Sequence, residues 1–197
     1  MAPELNVISI EEELVLLESL AKAEKDSKVF NDRTLVRYGN SIYGNEQLDP
    51  IPDYLLDLCY KLIDKKILDA LPEDVTVNTY YPGNKMTPHI DKEDAGPVIT
   101  ILSLLSDAKL VLTYGTKREN MLLPSRSVIQ LKGVYRTHWK HSIEKVNNKR
   151  ISIVFRQLGK KIKGIAPTKN FVIKVITLQN SHYSVISSGY SVNIIHH

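Results

Sequence analysis

Five short runs rich in β-branched residues follow one another after Leu71-Pro72, and they constrain the fold more than any other feature of the chain. They are VTVNTYY at 75–81, VITILSLL at 98–105, KLVLTY at 109–114, SVIQLK at 127–132 and RISIVFRQ at 150–157. Runs of this length, separated by turn residues, read as strands. Helical patterning is confined to the beginning of the chain. Ser9 followed by Glu12 reads as a capping box, opening a helix through about residue 25 with Leu14, Leu17 and Ala21 on one face. A turn-rich stretch around Gly39, Gly44, Asp49, Pro50 and Pro52 leads into a second helix, in which Leu55, Leu58, Cys59 and Leu62 share a side. Two leading helices followed by a succession of strands predict an α+β domain built on a β-sandwich or jelly roll.

At 197 residues the chain can bury one core and is short for two. Residues 1–160 are expected to form the domain, with 161–197 a C-terminal extension to which no role is assigned. The final pair, His196-His197, reads as a frayed terminus. No stretch approaches the roughly 18 apolar residues of a membrane span, and the acidic start MAPELNVISIEEE lacks the features of a signal peptide. The expectation is a soluble intracellular monomer of cytoplasm or nucleus with no membrane partner. The single cysteine, Cys59, excludes a disulfide framework.

Charge is unevenly distributed. Residues 1–74 carry 8 Lys/Arg and 16 Asp/Glu, whereas residues 75–197 carry 18 and 6. The half that holds the strands is therefore the half that would attract a polyanion. Lys92, Lys117, Arg118 and Lys140 are the cations expected to contact phosphates.

TPHID places His89 and Asp91 two residues apart, so in extended chain both point to one side. His141 follows in WKHSI. Two imidazoles and one carboxylate can make a facial triad that leaves octahedral positions open for a bidentate 2-oxo acid and dioxygen. RISIVFR adds a second constraint. Alternation puts Arg150, Ser152, Val154 and Arg156 on one face and Ile151, Ile153 and Phe155 on the other. Two arginines facing a sandwich interior need anionic partners, and a five-carbon dicarboxylate spans roughly the gap between them. On VTVNTYYPG, Asn78 and Tyr80 share a face and could donate to carboxylate oxygens.

Taken in order, NTYYPG at 78–83, HID at 89–91, LPSRSVIQLKGVYRTHWKH at 123–141 and RISIVFRQ at 150–157 resemble the AlkB-type family of iron(II)/2-oxoglutarate-dependent nucleic acid dioxygenases, over roughly residues 30–160. The resemblance implies a double-stranded β-helix (jelly roll), Fe(II) on His89, Asp91 and His141 as the catalytic centre, and 2-oxoglutarate held by Asn78, Tyr80, Arg150, Ser152 and Arg156. It also implies substrate-binding positions. These are Tyr43 in the lid segment, Glu93 as an acceptor for an exocyclic amino group, and Trp139 as a stacking surface. The lid segment departs from the family in lacking tryptophan. The leading expectation is oxidative dealkylation of alkylated bases in DNA or RNA, with formaldehyde, succinate and carbon dioxide as products. The alternatives are hydroxylation of a modified transfer-RNA base or of a protein side chain, and, less favoured, a binding module without catalysis.

Overall fold

The computed structural model describes residues 1–23, 27–30, 32–42 and 47–158. The lid residue Tyr43 and the extension 161–197 lie outside them. Helix α1 spans Ile10–Ala23 and α2 spans Asp53–Asp64. Between them lies a hairpin, β1 (Lys28–Phe30) and β2 (Arg33–Gly39), so the order is helix, hairpin, helix rather than two leading helices. The remaining strands are β3 (Asp74–Tyr80), β4 (Met86–His89), β5 (Val98–Leu104), β6 (Ala108–Tyr114), β7 (Lys117–Leu123), β8 (Ser127–Lys132), β9 (Lys140–Ile143) and β10 (Arg150–Arg156). A short helix α3, Val134–Thr137, precedes β9.

The strands form a six-stranded sheet, in the order β1-β2-β3-β10-β5-β8, and a four-stranded sheet, β4-β9-β6-β7. Alternation on the central strand β10 sorts the interior into two layers. Ile151, Ile153 and Phe155 join Leu55, Leu58, Cys59 and Leu62 of α2 in one apolar cluster. Val154, from the other face, joins Leu110, Leu112, Leu123 and Ile143 of the smaller sheet in a second. The β10 residues between these apolar positions, Arg150, Ser152 and Arg156, therefore face the space between the sheets, where they line a cavity. Two facing antiparallel sheets with helices against one of them make a jelly roll.

The capping box forms in both directions. Ser9 N–H donates to Glu12 Oε2 at 2.7 Å and Glu12 N–H to Ser9 Oγ at 3.2 Å. The buried face of α1 is displaced from the expected one, however. Leu14 is 58% exposed, while Glu13, Leu16 and Leu20 are buried. LVLL supplies four consecutive apolar positions, so periodicity alone leaves the helix's rotation open, and Glu13 fixes it. Its carboxylate accepts from Leu105 N–H (2.7 Å), Ser125 Oγ (2.9 Å) and Arg126 Nη1 (3.0 Å). Burial would raise the Glu13 pKa, but these bonds outweigh it and hold it below the ordinary value. A depressed folded-state pKa contributes stability at neutral pH, which is lost as pH falls through that folded value. Glu13→Gln is expected to lower stability by about 2 kcal/mol at pH 7 and to flatten the acid limb of a pH series of thermal melts. Wild-type acid sensitivity in the variant would remove this role.

Candidate active site

Strand pairing assembles the first part of the site. β4 and β9 run antiparallel with His89 directly opposite His141, so both rings project from one face, their centroids 4.3 Å apart. Asp91 follows β4 by two residues. The ligand atoms of His89, Asp91 and His141 all lie within 4.8 Å of one another. His89 Nδ1 is 2.9 Å from the Thr87 carbonyl oxygen and serves as its donor, leaving Nε2 as a lone pair. That lone pair faces Asp91 Oδ1 at 3.3 Å, and His141 Nε2 faces the same oxygen at 4.0 Å. Three acceptors converging without a donor between them suit a divalent cation.

Electrostatics keep Asp91 and His141 in the forms that a metal ion would need. Burial pushes the His141 pKa down to about 3, aided by nearby cationic groups and opposed by Asp91, so its ring is neutral at physiological pH. For Asp91 burial acts upward, but the Arg156 guanidinium beside it acts downward, and the carboxyl lies well below its usual range.

A cavity of about 400 Å³ reaches this cluster. Its walls include Asn78, Tyr80, Arg150, Ser152 and Arg156, because β10 pairs with β3 in a register that places Arg150 beside Tyr80 and Ser152 beside Asn78. The two arginines are not equivalent. Arg156 is committed to Asp74 at 2.7 Å and Asp91 at 3.3 Å. Arg150 is 1% exposed and donates from Nε to Ser103 Oγ at 3.1 Å, while its two terminal nitrogens make no hydrogen bond among the described residues. Its guanidinium lies over the Tyr80 ring at 5.1 Å. A buried guanidinium with both terminal nitrogens unused is a costly arrangement unless an anion completes it. A carboxylate of 2-oxoglutarate fits this position.

The expected substrate positions are distributed differently. Trp139 does not line the cavity; it is buried between Tyr135 (ring centroids 5.1 Å) and Tyr114 (5.9 Å), with Tyr135 Oη donating to Glu119. Glu93 lies exposed on a short 3-10 turn, Glu93–Ala95, outside the cavity lining. Lys92, Lys117, Arg118 and Lys140 do not line it either, and Arg118 is bound to Glu144 at 2.9 Å. The cavity's other cations are Lys28, Arg33 and Arg37, from the acidic half of the sequence. Arg33 donates to Asn78 Oδ1 at 2.8 Å and lies over the Phe30 ring at 5.3 Å. KVFNDR is too short for a periodic pattern to mark it.

Arg136 went unassigned although it stands in the motif that ends in His141. Its buried guanidinium donates to the backbone carbonyls of Gly96 (3.0 Å), Asp91 (3.0 Å) and Lys92, fixing the loop that carries Asp91. Gly96, at φ 83°, closes that loop where a Cβ would collide with the Gln157 carbonyl.

A jelly roll enclosing a His-Asp-His cluster beside a buried, anion-ready arginine defines a non-haem iron oxygenase that consumes a 2-oxo acid. The family described as the 2OG-Fe(II) oxygenase superfamily matches residues 14–156, and the chain belongs to it. It is an AlkB-type dioxygenase using Fe(II) and 2-oxoglutarate. A mimivirus protein, "Uncharacterized protein L905" of Acanthamoeba polyphaga mimivirus, is 30% identical over 165 residues, covering 72% of this chain and 78% of that protein. The Xenopus tropicalis "tRNA (carboxymethyluridine(34)-5-O)-methyltransferase alkbh8" is 32% identical over 151 residues, covering 69% of this chain and 24% of its own length. The Arabidopsis thaliana "RNA demethylase ALKBH9B" is 32% identical over 135 residues, covering 62% and 27%. The chain thus spans about a quarter of the length of the Xenopus and Arabidopsis relatives. Among solved structures, OsALKBH1 superposes with a TM-score of 0.62 at 14% identity, covering 79% of this chain and 97% of that one, which supports the fold.

Proposed function

We propose that the protein catalyses oxidative dealkylation of alkylated bases in DNA or RNA, with iron held by His89, Asp91 and His141. The observation that carries the oxidative half of this reading is Arg150, whose unused terminal nitrogens lie in the cavity that reaches the three metal-compatible side chains. Arg150, Tyr80, Asn78 and Ser152 would hold the distal carboxylate of 2-oxoglutarate and point its 2-oxo end at the metal ligands. With iron(II) and 2-oxoglutarate bound, dioxygen would supply hydroxylation of a C–H bond, one oxygen atom going to the substrate and the other to succinate as carbon dioxide leaves.

The nucleobase half rests on other support. The cavity extends from the metal ligands to the β1–β2 hairpin, where Phe30 offers an exposed aromatic ring and Lys28 and Arg33 offer positive charge. An aromatic face beside cations suits a base and its phosphate. The name of the Arabidopsis relative, an RNA demethylase, agrees with this reading.

A second reading, hydroxylation of a modified transfer-RNA base, is favoured by the alkbh8 relatives, whose names specify a modified uridine. The methyl transfer in those names belongs to proteins of which this chain spans 24% and 23%. Methylated DNA, methylated RNA, transfer RNA and peptides, incubated separately with the protein, iron(II), 2-oxoglutarate and ascorbate and read by mass spectrometry, decide between them. Loss of a methyl group with formaldehyde release supports dealkylation. A stable gain of one oxygen on transfer RNA supports the second reading, and turnover confined to peptides would overturn both.

A further inference from the structure

The metal cluster is the end of a longer line of buried charge. Arg37 on β2 lies 3.4 Å from Asp74 Oδ2, and Asp74 Oδ1 lies 2.7 Å from Arg156 Nη1. Arg156 Nε and Nη2 each lie 3.3 Å from Asp91 Oδ2, leaving Asp91 Oδ1 toward the two histidines. Signs alternate along the whole line. The sheet register builds it: Asp74 is the cross-strand partner of Arg156 on one side and of Gly39 on the other, and Thr76 that of Arg37. Asp74 is 0% exposed and does not line the cavity, whereas Arg37, Thr76 and Arg156 do. It therefore cannot touch a ligand directly.

We infer that Asp74 is a positioning residue for the metal centre, taking up the Arg156 guanidinium and so limiting how strongly that cation competes with the metal ion for Asp91. This rests on the assignment of iron to His89, Asp91 and His141. Arg156 sits closer to Asp74 than to Asp91, so Asp91 keeps charge available for a metal. Without the Asp74 carboxylate, a nearly buried guanidinium would lose its nearer carboxylate and be drawn more strongly to Asp91. The competition at Asp91 would then favour arginine over metal.

The test is titration of the metal-free full-length protein with manganese(II) alone, followed by calorimetry, beside thermal melts. Asp74→Asn is expected to weaken manganese binding about tenfold, the scale of an outer partner's loss, while Asp74→Glu, which keeps the charge, stays within about threefold of wild type. A lower melting temperature with unchanged manganese affinity in Asp74→Asn would make Asp74 merely structural and overturn the inference. Should Asp74→Asn fail to fold, Arg37→Gln tests the same line from its far end. Asp74 would then no longer divide its charge between Arg37 and Arg156, and manganese should bind at least twofold tighter; equal or weaker binding overturns the inference. A wild-type protein that binds no manganese overturns the metal assignment itself, an outcome distinct from wild-type binding that Asp74→Asn leaves unaltered.

Discussion

Asp91→Ala is expected to yield a folded protein that retains no iron and converts no 2-oxoglutarate to succinate. Asp91 is the sole anionic member of the three-residue cluster and lies within reach of both imidazoles. Removing it leaves two imidazoles and, behind them, the Arg156 guanidinium, a combination that lacks any negative charge to hold a divalent ion. The loss should exceed the roughly 10- to 100-fold that follows removal of an outer partner of a metal ligand. Folding should survive, because Arg156 keeps Asp74 at 2.7 Å and its bond to Thr76 at 2.9 Å, so no buried charge is orphaned. Metal content after dialysis in metal-controlled buffer, together with succinate production, reads both effects. Wild-type metal content in the variant would refute the triad.

How much of this was legible beforehand depended on the kind of signal each residue carries. His89, Asp91, Arg150 and Arg156 lie on segments whose period-two alternation fixes which way a side chain points, so their convergence could be argued from spacing. The α2 face was equally legible, because Leu55, Leu58, Cys59 and Leu62 have polar residues between them. Strands β1, β2 and β7 carry no strand signal in the sequence. β7, KRENMLL, turns Lys117, Arg118 and Asn120 to solvent or the rim, and its charge hides a strand that exists by pairing with β6. The hairpin β1–β2 similarly owes its place to pairing with β3. Charge counting along the chain misplaced the cavity's cations for the same reason, since tertiary pairing carries Lys28, Arg33 and Arg37 from the acidic half to the cavity. Trp139 shows the limit of a role carried over by resemblance. It shares alternation with His141, yet Tyr135 and Tyr114 enclose it away from the cavity.

Arg150→Met should move stability and function in opposite directions. The wild-type guanidinium is 1% exposed, and burial pushes its pKa down against the opposing influence of Tyr80, so the charge is held where water cannot compensate it. Ser103 satisfies Nε, but Nη1 and Nη2 have no hydrogen-bond partner among the described residues. Methionine keeps an unbranched stem of similar reach and removes the buried charge. The unliganded variant is therefore expected to be more stable by about 1–3 kcal/mol, raising the melting temperature by roughly 2–10 °C for a chain of this size. Half-saturation by 2-oxoglutarate should rise about ten- to a hundredfold, the scale of one lost charge-assisted contact. The two effects meet in a single thermal-shift series. Saturating 2-oxoglutarate at about 100 times its dissociation constant should stabilise the wild type by about 2.7 kcal/mol, and the same concentration should stabilise the variant by only about 0.4–1.4 kcal/mol. Destabilisation of unliganded Arg150→Met combined with a wild-type response to 2-oxoglutarate would show that Arg150 is a structural residue satisfied without the cosubstrate.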